Sequence, residues 1–291
     1  MMELLQVLIY GIVLGSIVTL GAIGVSLVFS ILRFAHFAHG DLMTVGAYLA
    51  LAGVATLGLP LWLAAPLAMA GAVVVAVAID ALLYNRLRRT APVILLIASI
   101  GVALILRSAV ELVWGFATEV YVQGIALPMR FGDLRVKADH LWIVGGTVVL
   151  VVLLHLFLRH ARAGKAMRAV ADDPDLAQVS GIDVRRVVLW TWAIAAVLAA
   201  AGGIFLGMDT RLHPTMGRNL VLVVFAAAIV GGIGRPYGAI AGGMLVGVAT
   251  ELSTLVFDPV YKPAVAFAMM VAALVARPTG LFAGVTAEAR R

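Results

Sequence analysis

The chain has 291 residues, of which 63% are hydrophobic and only 12% are charged. A soluble domain is about half apolar and about a quarter charged, so this composition excludes an ordinary soluble fold and indicates a protein embedded in lipid. The formal charge of +6 comes from basic residues between apolar runs, which favours membrane topology over nucleic-acid binding. The chain has no cysteine, which excludes disulfides, thiolate metal sites and a thiol nucleophile.

Apolar runs predict an all-α, polytopic membrane protein with eight to nine transmembrane segments in a single domain, 1–291. A helical span needs about 20 residues, and Gly58-Leu59-Pro60 divides the long charge-free run in the first third of the chain. The two late runs are short, so the total is nine spans, or eight if this pair is partly re-entrant. The predicted spans are 4–32, 40–57, 61–84, 91–113, 140–158, 187–207, 219–234, 236–256 and 263–277.

Basic residues cluster in three regions that the span pattern places on one side of the membrane. They are Arg86, Arg88 and Arg89; Arg159, Arg162, Lys165, Arg168, Arg185 and Arg186; and Arg277, Arg290 and Arg291. With nine spans Arg33 and Arg235 join them, and cytoplasmic connections are the ones that collect Lys and Arg. We therefore predict a cytoplasmic loop at about 159–187, a cytoplasmic C-terminus and an extracytoplasmic loop at about 114–139. The N-terminus is outside with nine spans and inside with eight.

Glycines spaced four residues apart predict that some helices pack closely, because small residues let two backbones approach in lipid. With 30 glycines some pairs arise by chance, and the cluster at 238–247 is the strongest candidate. The pairs are Gly11/Gly15, Gly203/Gly207, Gly238/Gly242 and Gly243/Gly247.

Interrupted spans predict the translocation path, since short or Gly/Pro-broken helices often line it in transporters. The glycine-rich segment 231–238 is one such break, and a weaker counterpart lies in the first half of the chain. The predicted path residues are His39, Gly40, Asp41, Tyr48, Gly231, Gly232 and Gly234.

Motifs for catalysis are absent from the sequence: it has no phosphate-binding loop, no His-Glu-x-x-His and no nucleophile elbow. His36 and His39 are close enough to share a metal, but no further ligands cluster there, and we interpret them as histidines at a membrane surface. Arg107 and Glu111, four apart on one helix, are predicted to pair with each other. Other ionisable residues are predicted near span ends, where water has access: Asp41, Asp80, His155 and Glu251.

The segment 159–186 is the most informative polar stretch. Asp172-Asp173-Pro174 is typical of a helix start, and Gly181 is typical of a helix end. Together they predict a short helix at about 174–180. A solvated connector is the alternative, but the punctuated pattern favours a helix parallel to the membrane that docks a partner. The apolar face of this helix would consist of Leu176, Ala177 and Val179.

Four ordered motifs resemble those of the permease subunits of branched-chain amino acid ABC importers, the LivH-like family. They are Phe37-Ala38-His39-Gly40-Asp41 with Val45-Gly46-Ala47-Tyr48; Gly164-Lys165-Ala166-Met167-Arg168-Ala169 with Asp173, Ala177 and Gly181-Ile182; Val230-Gly231-Gly232-Ile233-Gly234 with Gly238-Ala239 and Gly242-Gly243; and Arg277-Pro278-Thr279-Gly280-Leu281-Phe282. Two departures are His36, where the family has asparagine, and Arg235-Pro236 after the glycine run. Relatives of this family also import urea and short amides, so the substrate is the weakest part of the resemblance.

The resemblance implies a transport subunit of the bacterial inner membrane that is not an enzyme and binds no cofactor. Its implied partners are a second permease subunit of the LivM type, two cytoplasmic ATPase subunits that hydrolyse ATP, and a periplasmic substrate-binding protein. An ion-coupled secondary carrier and a passive channel are the alternatives. The implied contacts with the ATPase are Arg168, Asp172, Asp173, Pro174, Leu176, Ala177, Gly181 and Ile182.

Overall fold

The computed structural model describes residues 2–88, 90–121, 129–131 and 134–282, which are almost entirely helical. One antiparallel hairpin, β1 (Met129–Phe131) and β2 (Leu134–Val136), lies between the fifth and sixth helices. A π-helical turn, Asp80–Tyr84, joins the third helix to the fourth. The helices are α1 (Met2–Leu32), α2 (His39–Leu57), α3 (Leu61–Ile79), α4 (Asn85–Leu87), α5 (Pro92–Trp114), α6 (Ala138–His160), α7 (Arg162–Asp172), α8 (Pro174–Val179), α9 (Val184–Asp209), α10 (Met216–Gly231), α11 (Pro236–Leu252) and α12 (Lys262–Ala276).

Eight helices within these described ranges are long and apolar enough to cross a membrane. The ninth apolar helix, α10, has 16 residues and is therefore only about 24 Å long. The predicted all-α, polytopic architecture is confirmed. The sequence predicted eight or nine spans. Eight helices have spanning length, and the ninth apolar helix, α10, is shorter.

Successive apolar helices run in alternating directions, so their connections lie at two ends of the bundle. The described residues at the basic end are 33–38, Arg88, 90–91, 161–183, 232–235 and Arg277, and those at the hairpin end are 58–60, 115–121, 129–131, 134–137, 210–215 and 256–261. The side-chain amide of Gln6 donates to the Arg135 carbonyl at 2.9 Å and accepts from its N–H at 2.8 Å, which places the start of α1 at the hairpin end. Predicted basic-end residues outside the described ranges are Arg89, Arg290 and Arg291.

Helix α1 lies at the centre of the bundle, and α12 lies at its edge. In α1, 83% of the most apolar 18-residue window is buried, whereas in the span that contains α12 only 11% of the corresponding window is buried. Glycines bring α11 against α1: a Cβ on Gly247 would overlap the backbone of Gly15, and one on Gly243 would overlap Thr19. The close packing predicted for the 238–247 cluster is confirmed at this interface.

Two further glycine contacts hold other helix pairs together. Gly242 abuts the backbone of Gly231, which brings α11 against α10. A Cβ on Gly203 would overlap the carbonyl of Met43, so α9 and α2 also touch through their backbones. Small residues at helix interfaces therefore determine how closely α1, α2, α9, α10 and α11 pack.

We expect Gly247→Ala to destabilise the bundle by about 1–3 kcal/mol, because the added methyl group has no space beside Gly15. The matched control is Gly101→Ala on α5, where a Cβ would meet no atom within 4 Å. That control should be neutral or stabilising by up to about 1 kcal/mol. Unfolding free energies measured in detergent micelles check the pair, and equal stability of the two variants would contradict the proposed packing.

Candidate functional site

Helix α2 begins well inside the bundle rather than at its basic end. A Cβ on Gly24 of α1 would meet the ring of His39, so the first residue of α2 lies level with Gly24. Gly24 precedes the end of α1 at Leu32 by eight residues, or about 12 Å. The connection 33–38 therefore folds back into the bundle, and His36 within it is buried.

Helix α10 begins inside the bundle from the opposite direction. The N–H of Gly217 donates to Thr44 Oγ1 at 3.1 Å, so the first turn of α10 lies level with the second turn of α2. At the same level Gly203 abuts Met43, six residues or about 9 Å before α9 ends at Asp209. Helix α10 consequently starts about 10 Å below the hairpin end.

The first turns of α2 and α10 meet at Gly40 and Gly217. A Cβ on either glycine would overlap the carbonyl oxygen of the other, so this approach requires glycine at both positions. The first N–H groups of a helix lack helical partners, and its N-terminus has a partial positive charge. The junction therefore joins two partially positive helix ends, beside which a carboxylate is stabilised.

Asp41, in the first turn of α2, supplies that carboxylate and forms an ion pair with Arg107 of α5. Arg107 Nη2 and Nε donate to Asp41 Oδ1 at 2.9 and 3.1 Å. The two side chains are only 3% and 12% exposed. The predicted pairing of Arg107 with Glu111 is wrong, as is the placement of Asp41 in water. Spacing within one helix gives no information about a carboxylate on a neighbouring helix. The buried carboxylate of Asp41 is destabilised without a counter-ion, so it pairs with Arg107 in preference to Glu111.

His36 and His39 are buried, so their interpretation as surface histidines is wrong. His36 packs edge-on against Trp192, with ring centroids 4.9 Å apart, and against Tyr84 at 5.5 Å. Tyr84, positioned by the π-helical turn, stacks on Trp192 at 5.2 Å. Across the described ranges no three His, Cys, Asp or Glu side chains are grouped so that they could hold a metal. The histidines therefore belong to aromatic packing on the basic-end side of the junction.

The other ionisable residues predicted near span ends have partners in the structure. Asp80 is buried, so its predicted access to water is wrong. The pairs are Asp80 with Arg88 at 2.6 Å, Glu251 with Lys262 at 2.5 Å, and His155 with Tyr237 at 3.1 Å.

The predicted path residues do not come together as one group. Gly232 and Gly234 have φ of 110° and 82° and form the turn between α10 and α11 at the basic end. Gly231 lies 14 residues from Gly217 along α10, or about 21 Å. The structure therefore places Gly40 beside the start of α10 and far from the glycine-rich turn.

Tyr48 lies two turns along α2 from the junction and faces the hairpin end. It is fully buried, and its ring contacts Trp114 of α5 with centroids 5.4 Å apart. Nearby, Tyr121 Oη donates to the Ala47 carbonyl at 3.1 Å. Burial keeps the pKa of Tyr121 well above its usual value, so this phenol stays neutral. Tyr48 thus belongs to the packing that closes the hairpin side of the junction.

Sequence reasoning missed Thr44, Gly217 and Arg218, which complete the junction. Arg218 marked only a span boundary in the sequence, whereas it lies on the exposed side of the first turn of α10, within electrostatic range of Asp41. Its neighbour His213 donates to or accepts from Thr215 at 3.1 Å, and burial lowers the pKa of His213. His213 is therefore neutral near pH 7, and the positive charges of this segment belong to Arg211 and Arg218. The sequence feature that could have indicated a helix starting inside the bundle is the short apolar run after Arg218.

Comparison with known proteins identifies the family. The family described as "Branched-chain amino acid transport system / permease component" matches residues 7–274. The chain belongs to this permease family. It is 32% identical to the high-affinity branched-chain amino acid transport system permease protein LivH of Escherichia coli K12, over 95% of this chain and 94% of LivH. The corresponding protein BraD of Pseudomonas aeruginosa is 32% identical, with 95% of each chain covered.

A solved structure supports the fold of the permease. PsaBC from Streptococcus pneumoniae, solved in complex with a Fab, superimposes with a TM-score of 0.53 and covers 98% of this chain and 94% of that one. Its sequence identity is 12%, so the likeness concerns the arrangement of helices alone.

The polar segment at the basic end of the permease contains two helices fixed to the bundle. Helix α7 buries Met167 and Val170 and exposes Arg168. At its end, Arg33 Nη2 donates to the Ala171 carbonyl at 2.7 Å, which attaches α7 to the end of α1. A displacement of this segment would therefore act directly on the central helix.

Helix α8 of the permease has the predicted start and stop. The Asp173 carboxylate accepts from the N–H groups of Asp175 and Leu176 at 3.0 and 2.9 Å. Gly181 has φ of 85°, and the Ile182 N–H donates to the Ala177 carbonyl at 3.0 Å, as in a Schellman motif. Ala177 is buried, while the outer face exposes 65% of Leu176 and 86% of Val179. The predicted short helix is confirmed.

We expect Asp41→Asn to destabilise the permease by about 3–5 kcal/mol, because it leaves the buried guanidinium of Arg107 without its carboxylate. The control is Glu251→Gln, which breaks a more exposed pair with Lys262 and should cost about 1 kcal/mol or less. The double variant D41N/R107Q should cost less than the sum of its single changes. Unfolding in detergent micelles measures all four, and a D41N cost no larger than that of E251Q would refute a structural role for the pair.

Proposed function

We propose that this chain is the membrane-spanning permease subunit of an ATP-binding cassette importer that moves branched-chain amino acids across the bacterial inner membrane. The family match over residues 7–274 is the observation that supports this most strongly. The relatives LivH and BraD are named as high-affinity branched-chain amino acid permeases, which supports the substrate class.

The junction of α2 and α10 is the proposed barrier and path for the substrate. Irregular backbone at membrane depth is tolerated where it is buried in protein or lines a water-filled cavity. The connections 33–38 and 210–215 both enter the bundle, and each leads into a helix that starts at the junction. Helix ends that meet in this way let a small shift of one helix open or close a passage.

The basic end is the proposed cytoplasmic side, where two ATPase subunits bind. Its exposed arginines follow the charge bias of cytoplasmic connections. Helix α8 presents the apolar side chains of Leu176 and Val179 outward, and this pair is the proposed contact with the ATPase. The start of α1 and the hairpin would then face the periplasm and the substrate-binding protein. A second permease subunit of the LivM type completes the proposed complex.

An ion-coupled carrier is less well supported by the polar groups inside the bundle. Such carriers use carboxylates within the membrane to bind protons or sodium. The carboxylates buried in the described part of the chain, Asp41 and Asp80, are both paired with arginines. ATP hydrolysis by a partner is therefore the energy source that fits better. Urea or a short amide remains the alternative solute.

The transport assay is direct. We expect proteoliposomes that contain the full complex, with enclosed ATP and external binding protein, to accumulate leucine, isoleucine and valine. Uptake should cease without ATP and should persist when an uncoupler dissipates the proton gradient. Uptake that an uncoupler abolishes would indicate a carrier, and flux without ATP or binding protein would indicate a channel. Uptake of urea or acetamide in place of leucine would replace the substrate assignment.

The coupling role of α8 has its own test. We expect Gly181→Leu and Asp173→Lys to lower leucine uptake at least tenfold while ATP hydrolysis by the complex continues. Leucine is strained at φ of 85°, and lysine removes the carboxylate that begins α8. The matched control is Gly58→Leu at the hairpin end, where φ is 61° and the space around the Cβ is equally open. Unchanged uptake per ATP in both α8 variants would exclude the coupling role.

A further inference from the structure

Arg218 has an unusual position for an exposed cation. It belongs to the first turn of α10, about 10 Å below the hairpin end, because its neighbour Gly217 bonds Thr44 and touches Gly40. An arginine at such a depth is costly when it faces lipid, and it is usually found where it faces water or a polar partner. On this principle the exposed side of Arg218 is expected to face water or a second subunit rather than lipid.

The Asp41 carboxylate, which Arg218 influences, is already paired. Asp41 lies within electrostatic range of Arg218, but both of its oxygens accept from Arg107. His213, five residues before Arg218, is kept neutral by burial. The Asp41–Arg107 pair has no net charge, so Asp41 does not neutralise Arg218, whose guanidinium can attract an anionic group.

The exposed face of α10 that bears Arg218 is polar in its first turn and apolar one turn further on. Asn219 is exposed beside Arg218, and Leu222, one turn further along α10, exposes 43% of its surface. Side chains four apart lie on the same face of a helix, about 6 Å apart along its axis. A branched-chain amino acid likewise combines one carboxylate with one aliphatic side chain.

We propose that Arg218 is a specificity-determining residue, whose guanidinium binds the carboxylate of the transported amino acid while Leu222 contacts its aliphatic side chain. This inference rests on the proposed import of amino acids. Such a site would favour solutes that carry a carboxylate over cations and neutral amides, because a carboxylate can pair with the guanidinium of Arg218.

The natural absence of cysteine provides a charge-rescue experiment. R218C introduces one thiol into this chain, and water-soluble methanethiosulfonates then add an ammonium or a sulfonate at that position. In complexes reconstituted with ATPases and binding protein, we expect R218C to import leucine at least tenfold more slowly than the unsubstituted complex. The ammonium reagent should restore at least a third of the rate, and the sulfonate reagent should not. R218K should retain transport in the same way.

Control variants distinguish the effect of a charge at position 218 from the effect of a charge elsewhere on the same side of the protein. R211C, in the connection 210–215 that leads to α10 and nearer the hairpin end, should transport normally before and after either reagent. ATP hydrolysis without substrate should stay within twofold of the unsubstituted complex for every variant, which excludes misfolding as the cause. L222A should raise the leucine concentration needed for half-maximal uptake more than that for alanine.

Each outcome distinguishes the inference from the function on which it depends. Equal leucine uptake with ammonium and sulfonate, or a thiol at 218 that does not react from water, would overturn the role of Arg218. If the unsubstituted complex imports urea or an amide but no amino acid, the proposed substrate fails first. In that case unaltered uptake of that neutral solute by R218C would also reject a carboxylate site.

Discussion

The ion pair between Asp41 and Arg107 determines where α2 lies in the bundle. Helix α2 does not begin at a membrane surface, and its first turn is held at depth by a carboxylate whose partner is on α5. Sliding α2 along α5 by one turn would separate two buried charges, which is far more costly in lipid than in water. The level of Gly40, and therefore the level of the junction with α10, follows from this single contact.

Glycine makes the junction possible once the ion pair has fixed its depth. Gly40 and Gly217 touch through their backbones, as Gly15 and Gly247 do in the centre of the bundle. In lipid no hydrophobic force drives helices together, so close van der Waals contact and interhelical hydrogen bonds provide the association. The Thr44 hydroxyl adds such a bond to Gly217, which gives a free N–H at the start of α10 a partner.

Local features of this protein were predictable from its sequence, and contacts between distant helices were not. Charge-free runs and Pro/Gly breaks predicted the spans, and Asp173 with Gly181 predicted α8, because capping depends on neighbouring residues. The Asp41–Arg107 pair depends on two helices whose residues are 66 apart in the chain. Likewise, nothing in the sequence distinguished Gly217 from other glycines, since a glycine next to a charged residue is common. Only the arrangement in space shows that it faces Gly40.

The central position of α1 has a consequence for how the chain is made. Its glycine face is covered by α11, and Gly15 and Gly247 are separated by about 230 residues of chain. At about 5–20 residues per second, synthesis of that intervening chain takes roughly 10–50 s. Until then the α11-facing groups of the first helix, at Gly11, Gly15 and Thr19, lack the neighbour that covers them in the complete bundle. The late arrival of α11 is thus the assembly step that completes the centre of the protein, and the nascent chain is most exposed to wrong partners before it.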